Sequence, residues 1–321
     1  MTTMSAIDET IQLGEPLVHR GISVYPLFPR RAPAARYVTL DEALPLGLRV
    51  TELNADGTVP ELLVHNPLET PVLLYDGEEL VGAKQNRILD LTVLVPSRSE
   101  LPIPVACVEQ GRWSRRSDAF SIAPHAAYPE LRRRKAEVFA SAGPARGGAQ
   151  GVVWDAVAEK LARHQARSAT RAQADLFATR ERDLAGLRGS FPLQGGQCGA
   201  ILALPGGKTG PERAASLSLD CLSRPDAFAR LYPRLLQGYL LDALERLDGT
   251  PVDAEAFLVA VGEAPARLGP SPGLGEDVRI SGEDIVGSGL VLDGELVQLS
   301  AFTGGTSRST GPRSSRPSRR R

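Results

Sequence analysis

The sequence predicts an α+β fold: an antiparallel β-sandwich or open barrel with a helical insertion and a packed C-terminal helix. Three observations lead there. From Leu17 to Val108, short β-like runs alternate with turn residues. From Pro129 to Leu187 a charged, Ala-rich stretch shows helical spacing instead. The remainder mixes strands with one strongly amphipathic helix.

Residues 1–12 are expected to form a flexible N-terminus. Residues 13–302 are expected to form one α+β domain, β-rich over 13–128, helical over 129–187 and mixed over 188–302. In the β-rich part, Leu48–Leu53, Pro60–Val64, Pro71–Tyr75, Ile88–Val95 and Ile103–Val108 read as strands. Asp76-Gly77 reads as a hairpin turn joining Val72–Tyr75 to Glu78–Gly82, because a tight primed turn needs positive φ. The switch between apolar and polar residues around Gly82 signals a bulge or bend.

The run LRRRKAEVF reads as a charged helix, and Ser141–Gly151 as a Gly/Ala/Pro-rich linker. Val153, Trp154, Val157 and Leu161 then recur at helical spacing, which makes Trp154 a core residue. This helix continues to about Arg182, broken once. Cys198–Leu204 and Ala215–Leu222 read as strands. A helix starts at Asp226, with Phe228, Leu231, Leu235, Tyr239, Ala243 and Leu247 on one face. Pro233 predicts a kink or break in it, since proline removes a helical hydrogen bond. Asp253–Val261 forms a second helix. Asp277–Ile280, Gly289–Leu292 and Glu295–Phe302 are the last strands, the final two joined at Asp293-Gly294. Residues 303–321 contain only Ser, Thr, Gly, Pro and Arg and are expected to be a disordered Arg-rich tail.

The 32 Gly and 25 Pro fit a globular chain with many turns and exclude a coiled coil. The formal charge is -1; the tail holds six Arg and no acid, so Met1–Phe302 carries -7. Such a body is a poor nucleic-acid binder, and contact with nucleic acid is expected only weakly, through the tail. The three cysteines are odd in number and form no CxxC pair, which argues for reduced thiols rather than zinc or a redox dithiol. No signal-peptide pattern and no run of about 18 apolar residues is present, so a cytoplasmic protein without a membrane partner is expected.

Two runs concentrate polar groups where buried strand is otherwise expected: GEELVGAKQNR (Gly77–Arg87) and CVEQGRW (Cys107–Trp113). Charged and amide groups rarely enter a sheet core unless paired or used. Arg87 and Arg112 are candidates to hold an anion through paired guanidinium hydrogen bonds; their plainer role is an ion pair with Glu78 or Glu109. Gln85 and Asn86 either read a ligand edge or satisfy strand-end backbone groups. Glu78, Glu79 and Glu109 are candidate acid/base groups or hard-metal ligands; the plainer role of Glu79 is the exposed end of a hairpin. Trp113 either stacks on a ligand ring or anchors the core. Cys107 reads as a small buried residue. The four histidines are dispersed without ligand spacing, so no metal site is expected. GGKTG lacks the spacing of a phosphate-binding P-loop, and GLGEDVR does not open a helix after a strand.

These motifs, with VTELNADGTVPELLVHNP, GVVWDAVAEKL, QCGAILAL, RLYPRLLQGYLLDAL and GLGEDVRISGEDIVGSGLVLDGELVQLSAF, resemble one prokaryotic family. It is the first type of ARG and rhodanese-phosphatase-superfamily-associated domain, and the similarity spans about Leu13–Phe302. The name implies association with ADP-ribosylglycohydrolases and rhodanese-like phosphatases. The expectation is therefore a domain that binds or processes an anionic, nucleotide-related ligand, ADP-ribose-linked ligands included. Glu78, Gln85, Asn86, Arg87, Glu109, Arg112 and Trp113 are its candidate binding residues. No catalytic residue or cofactor is assigned. The alternative is a non-catalytic interaction or scaffold protein whose polar motifs form a structural network.

Overall fold

The computed structural model describes residues 2–3, 10–54, 57–58, 60–142, 149–206, 214–250 and 252–304. The strands of the first half are β1 (Thr2–Thr3), β2 (Ile11–Leu13), β3 (Leu17–His19), β4 (Ile22–Pro29), β5 (Val38–Thr39), β6 (Arg49–Glu52), β7 (Glu61–Asn66), β8 (Val72–Leu74), β9 (Glu78–Gly82), β10 (Arg87–Leu89), β11 (Val93–Val95), β12 (Ser99–Cys107) and β13 (Phe120–Ala126). Those of the second half are β14 (Gly199–Leu204), β15 (Ser216–Leu222), β16 (Pro265–Pro270), β17 (Glu276–Ser281), β18 (Ile285–Leu292) and β19 (Glu295–Thr303). The helices are α1 (Leu40–Ala43), α2 (Pro129–Ala142), α3 (Gln150–Arg163), α4 (Gln173–Arg188), α5 (Pro225–Ala243) and α6 (Glu255–Glu263).

The fold is mixed α+β. A large sheet, ordered β1-β16-β17-β18-β19-β15-β14-β4-β2 with β3 also on β4, curls into a half-barrel. It combines strands from both ends of the chain. A second sheet runs β13-β9-β10-β12-β7-β6, and a third β11-β8-β5. Pairing is antiparallel except between β5 and β8. At the β18–β19 turn Asp293 and Gly294 both have positive φ, 52° and 81°, the conformation a two-residue primed turn requires.

Helix α5 lies at the centre. It begins with Pro225 and Asp226, which suit a first turn. It touches β13 of the second sheet and β4, β14 and β15 of the large one. Its side chains join a main apolar core shared by all three sheets. On another face of the large sheet, Phe257, Leu258 and Val261 of α6 pack with Ile201, Leu219 and Leu299. Among the described residues, no helix is long and apolar enough to cross a membrane.

Several expectations need correction. The turn at Asp76-Gly77 forms, with the Glu78 N–H donating to the Tyr75 carbonyl at 3.1 Å, but it is not a hairpin. Gly77 donates to the Leu89 carbonyl and the Asp76 carboxylate is held by Lys135, so β8 and β9 leave the turn for different sheets. Ile88–Val95 is two strands: Asp90 is buried near Lys135, at 3.5 Å, and the chain changes sheets there. Helix α5 is not broken at Pro233: it runs on to Ala243, and burial along almost its whole length outweighs one lost hydrogen bond. Strand β1, paired with β16, and the start of β2 at Ile11 both fall within the segment read as flexible. Two expectations hold: the helical stretch is interrupted between α3 and α4, and Gly82, with φ 136°, ends β9 at a bend. Residues 143–148 of the linker, 207–210 of the GGKTG run and 305–321 of the tail lie outside the described residues.

Candidate functional site

Strand pairing brings the two motifs together. Arg87 lies opposite Cys107 and Leu80 in register, and the Val108 N–H donates to the Asn86 carbonyl at 3.1 Å. The loop from Gly82 to Asn86 leaves carbonyls without strand partners. Arg112 supplies donors for them: its Nη1 reaches the Ala83 and Ser114 carbonyls at 2.9 and 2.8 Å. Its Nη2 reaches the Gly82 carbonyl at 3.2 Å, Asn86 Oδ1 at 3.1 Å and Glu109 Oε2 at 2.7 Å.

Glu109 is the buried partner of that arginine. Its carboxylate also accepts from the Asn86 N–H at 3.1 Å and the Thr170 hydroxyl at 3.2 Å. Burial pushes its pKa up, but Arg112 and these donors outweigh that, and the carboxyl titrates below its ordinary range. Gln85 donates to the Glu109 carbonyl at 3.0 Å and accepts from Arg87 Nη1 at 2.8 Å.

Glu79, fully buried, extends the network. It accepts from Asn86 Nδ2 at 3.1 Å and Gln173 Nε2 at 2.6 Å, and meets His125 Nε2 at 2.8 Å. The His125 ring stacks on Phe177, with centroids 3.8 Å apart. Thr170, Gln173 and Phe177 come from α4 and the loop before it, so this helix clamps the motifs from outside the sheet. Sequence reading missed His125, Thr170 and Gln173. Glu78, by contrast, is not part of the cluster: it pairs with Arg234 at 2.6 Å and accepts from the Tyr75 N–H at 2.8 Å. Burial raises its pKa despite Arg234.

Arg87 differs from the rest. It is 0% exposed, yet among the described residues its Nε and Nη2 have no hydrogen-bond partner. Burial lowers its pKa; Cys107 and Glu52 oppose that only in part. Glu52 has its own unpartnered buried oxygen, Oε2. Above Arg87 sits Trp113, 50% exposed, its ring centroid 5.9 Å from the guanidinium carbon and 5.3 Å from Lys84 Nζ. Arg116, exposed, is tied beside Ala83 by its backbone N–H at 2.9 Å. Among the described residues, neither Arg87 nor Arg116 has a carboxylate within ion-pair distance, whereas Arg112 and Arg115 pair with Glu109 and Asp118.

A second buried network lies between α2, the third sheet and the half-barrel. Arg132 binds both oxygens of Asp220 at 2.8 Å. Tyr75, Tyr239 and Ser300 also donate to Asp220, at 2.5, 2.7 and 2.9 Å, and Gln298 donates to Ser300 at 2.6 Å. Lys135 binds Asp76 at 2.7 Å. An acid inside the apolar strand LSLDCL was the one sequence signal for this network.

Three open cavities lie away from these motifs. A groove of about 640 Å³ runs past Arg163, Arg180, Arg182 and Leu244. A cleft of about 170 Å³ borders Lys160 and Asp242, and a pocket of about 80 Å³ reaches Cys198 and Cys221. Among the described residues, no group of three or more His, Cys, Asp or Glu is placed to hold a metal.

The model of one family, ARPP-1, the ARG and Rhodanese-Phosphatase-superfamily-associated Protein domain, matches residues 10–302. No curated protein and no solved structure matches the chain.

Proposed function

The chain belongs to the ARG and Rhodanese-Phosphatase-superfamily-associated Protein domain family, and we propose that it binds a small anionic, nucleotide-related ligand beside Arg87 and Trp113. The observation that carries this reading is Arg87: a guanidinium with no exposed surface and, among the described residues, no paired carboxylate and two donor nitrogens without a hydrogen-bond partner. A buried charge costs several kcal/mol unless compensated. An anion is the natural compensation. In this reading the half-exposed Trp113 ring stacks on a base or ribose-linked ring. Arg116 faces the anionic group at the surface, and Arg87 strengthens the positive field from below. Gln85, Asn86, Glu109 and Arg112 hold the loop in shape rather than contact the ligand. The association named in the family's description makes ADP-ribose the first probe.

A second reading, a non-catalytic interaction protein, is favoured by a different observation: Glu79, Asn86, Glu109 and Arg112 spend their hydrogen bonds on one another. Thermal-shift titration with ADP-ribose, ATP and pyrophosphate separates the two, using wild type and Arg87→Met. Binding predicts a rise in melting temperature for wild type that is lost in the variant, while the unliganded variant is as stable as wild type or more so. A large drop in the variant's own melting temperature, with no compound shifting wild type, supports the structural reading instead.

A further inference from the structure

We propose that Cys198 and Cys221 are a modification site: they close into an intrachain disulfide when the folded protein meets a low-molecular-weight disulfide. Their sulfurs lie 3.9 Å apart. The two residues sit where β14 begins and β15 ends, and the Leu222 N–H donates to the Cys198 carbonyl at 2.9 Å. Gly199 faces Cys221 in register, and a Cβ there would stand 3.0 Å from the Cys221 Cβ and 2.7 Å from the Asp220 carbonyl oxygen. A residue with a side chain at 199 would crowd this thiol; glycine leaves it room.

Forming the bond requires the sulfurs to approach to about 2.05 Å, a closure of roughly 2 Å. Both cysteines are nearly buried, at 1% and 3% exposure, but both line the wall of the pocket of about 80 Å³ that also touches Arg31 and Gln298. That pocket gives a small oxidant a route to the pair. Cys107 belongs to the second sheet, opposite Arg87, and is not part of this arrangement.

The exchange balances without a metal or cofactor. One protein thiolate attacks a sulfur of the oxidant RSSR and expels RS⁻, leaving a mixed disulfide. The second protein thiolate attacks the protein-side sulfur and expels the second RS⁻. Two electrons pass to the oxidant, and the two protein protons end on two RSH. Attack needs the thiolate. The hydrogen bond from Cys198 and burial both raise the Cys221 thiol, so the reaction should accelerate as the solution becomes alkaline.

The test uses the full chain with the small disulfide bis(2-hydroxyethyl) disulfide, well below its melting transition, at about pH 7 and about pH 9, values on either side of a free thiol. The expected product has lost two hydrogens by intact mass. Peptide mapping should join Cys198 to Cys221, and the reaction should be faster at the higher pH. Cys107→Ala should retain the cross-link, while Cys198→Ala and Cys221→Ala should each lose it. If a cysteine variant misfolds, the wild-type peptide map decides. A native chain, judged by near-ultraviolet circular dichroism, that keeps three free thiols or stops at a mixed disulfide overturns the proposal. So does a cross-link that appears only after unfolding, or one that involves Cys107.

Discussion

Arg112 and Arg116 are four residues apart and have opposite surroundings. Arg112 is buried, pairs with Glu109 and supports three backbone carbonyls; Arg116 is exposed and unpaired among the described residues. Arg112→Ala should therefore cost about 3 kcal/mol or more, because it strands a buried carboxylate. Arg116→Ala should stay within about 0.5 kcal/mol. Urea denaturation of both variants checks this. Glu109 provides a pH test. Its folded pKa is depressed, so its contribution is present above the unfolded carboxyl value, near about 4.3, and is lost as pH falls through the folded value. The stability gap between wild type and Glu109→Gln should be widest near neutral pH and shrink in acid; a constant gap would show that Glu109 acts through shape alone. At this scale the polar character of the motifs was legible. The partners His125 and Gln173 were not, because they lie 46 and 94 positions from Glu79 and no local pattern marks them. Glu78 was grouped with Glu79 although neighbours in a strand point to opposite faces.

Turns and helices followed local chemistry until tertiary contacts overrode it. Asp76-Gly77 carries a true turn signal, and Gly77 has φ 85°. What the sequence could not display is Arg132, whose Cδ would lie 2.7 Å from a Cβ at position 77. That arginine is pinned by Asp220, so it cannot move aside cheaply. Gly77→Ala should therefore destabilise by at least about 2 kcal/mol, combining left-handed strain with the clash. Gly186 is the contrast: it is exposed in α4 with nothing within 4 Å of its added Cβ. Gly186→Ala should stabilise by about 0.5–1 kcal/mol. Thermal melts of the two variants should move in opposite directions; a neutral Gly77→Ala would mean that the Asp76–Arg132 corner yields. Pro233 shows the same override: a strong helix-breaking signal was outweighed by packing around α5.

Across the molecule, the half-barrel joins β2–β4 to β14–β19, and α5 bridges it to the second sheet. The α+β class and most strands could be read from alternation and turns. The division into three sheets could not, since which strands pair depends on contacts far apart in sequence. One shared core predicts one cooperative unfolding transition, coincident by circular dichroism and tryptophan fluorescence; two separated transitions would split the molecule into independent units. Arg87 is a buried cation with no ion-paired carboxylate among the described residues. The chain has two tryptophans, so Trp154→Phe leaves Trp113 as the sole indole. Titrating that variant with ADP-ribose should change Trp113 emission saturably, and adding Arg87→Met should abolish the change. Emission that stays flat with ADP-ribose, ATP and pyrophosphate alike, in protein that melts like wild type, would rule out a ligand site at Arg87 and Trp113.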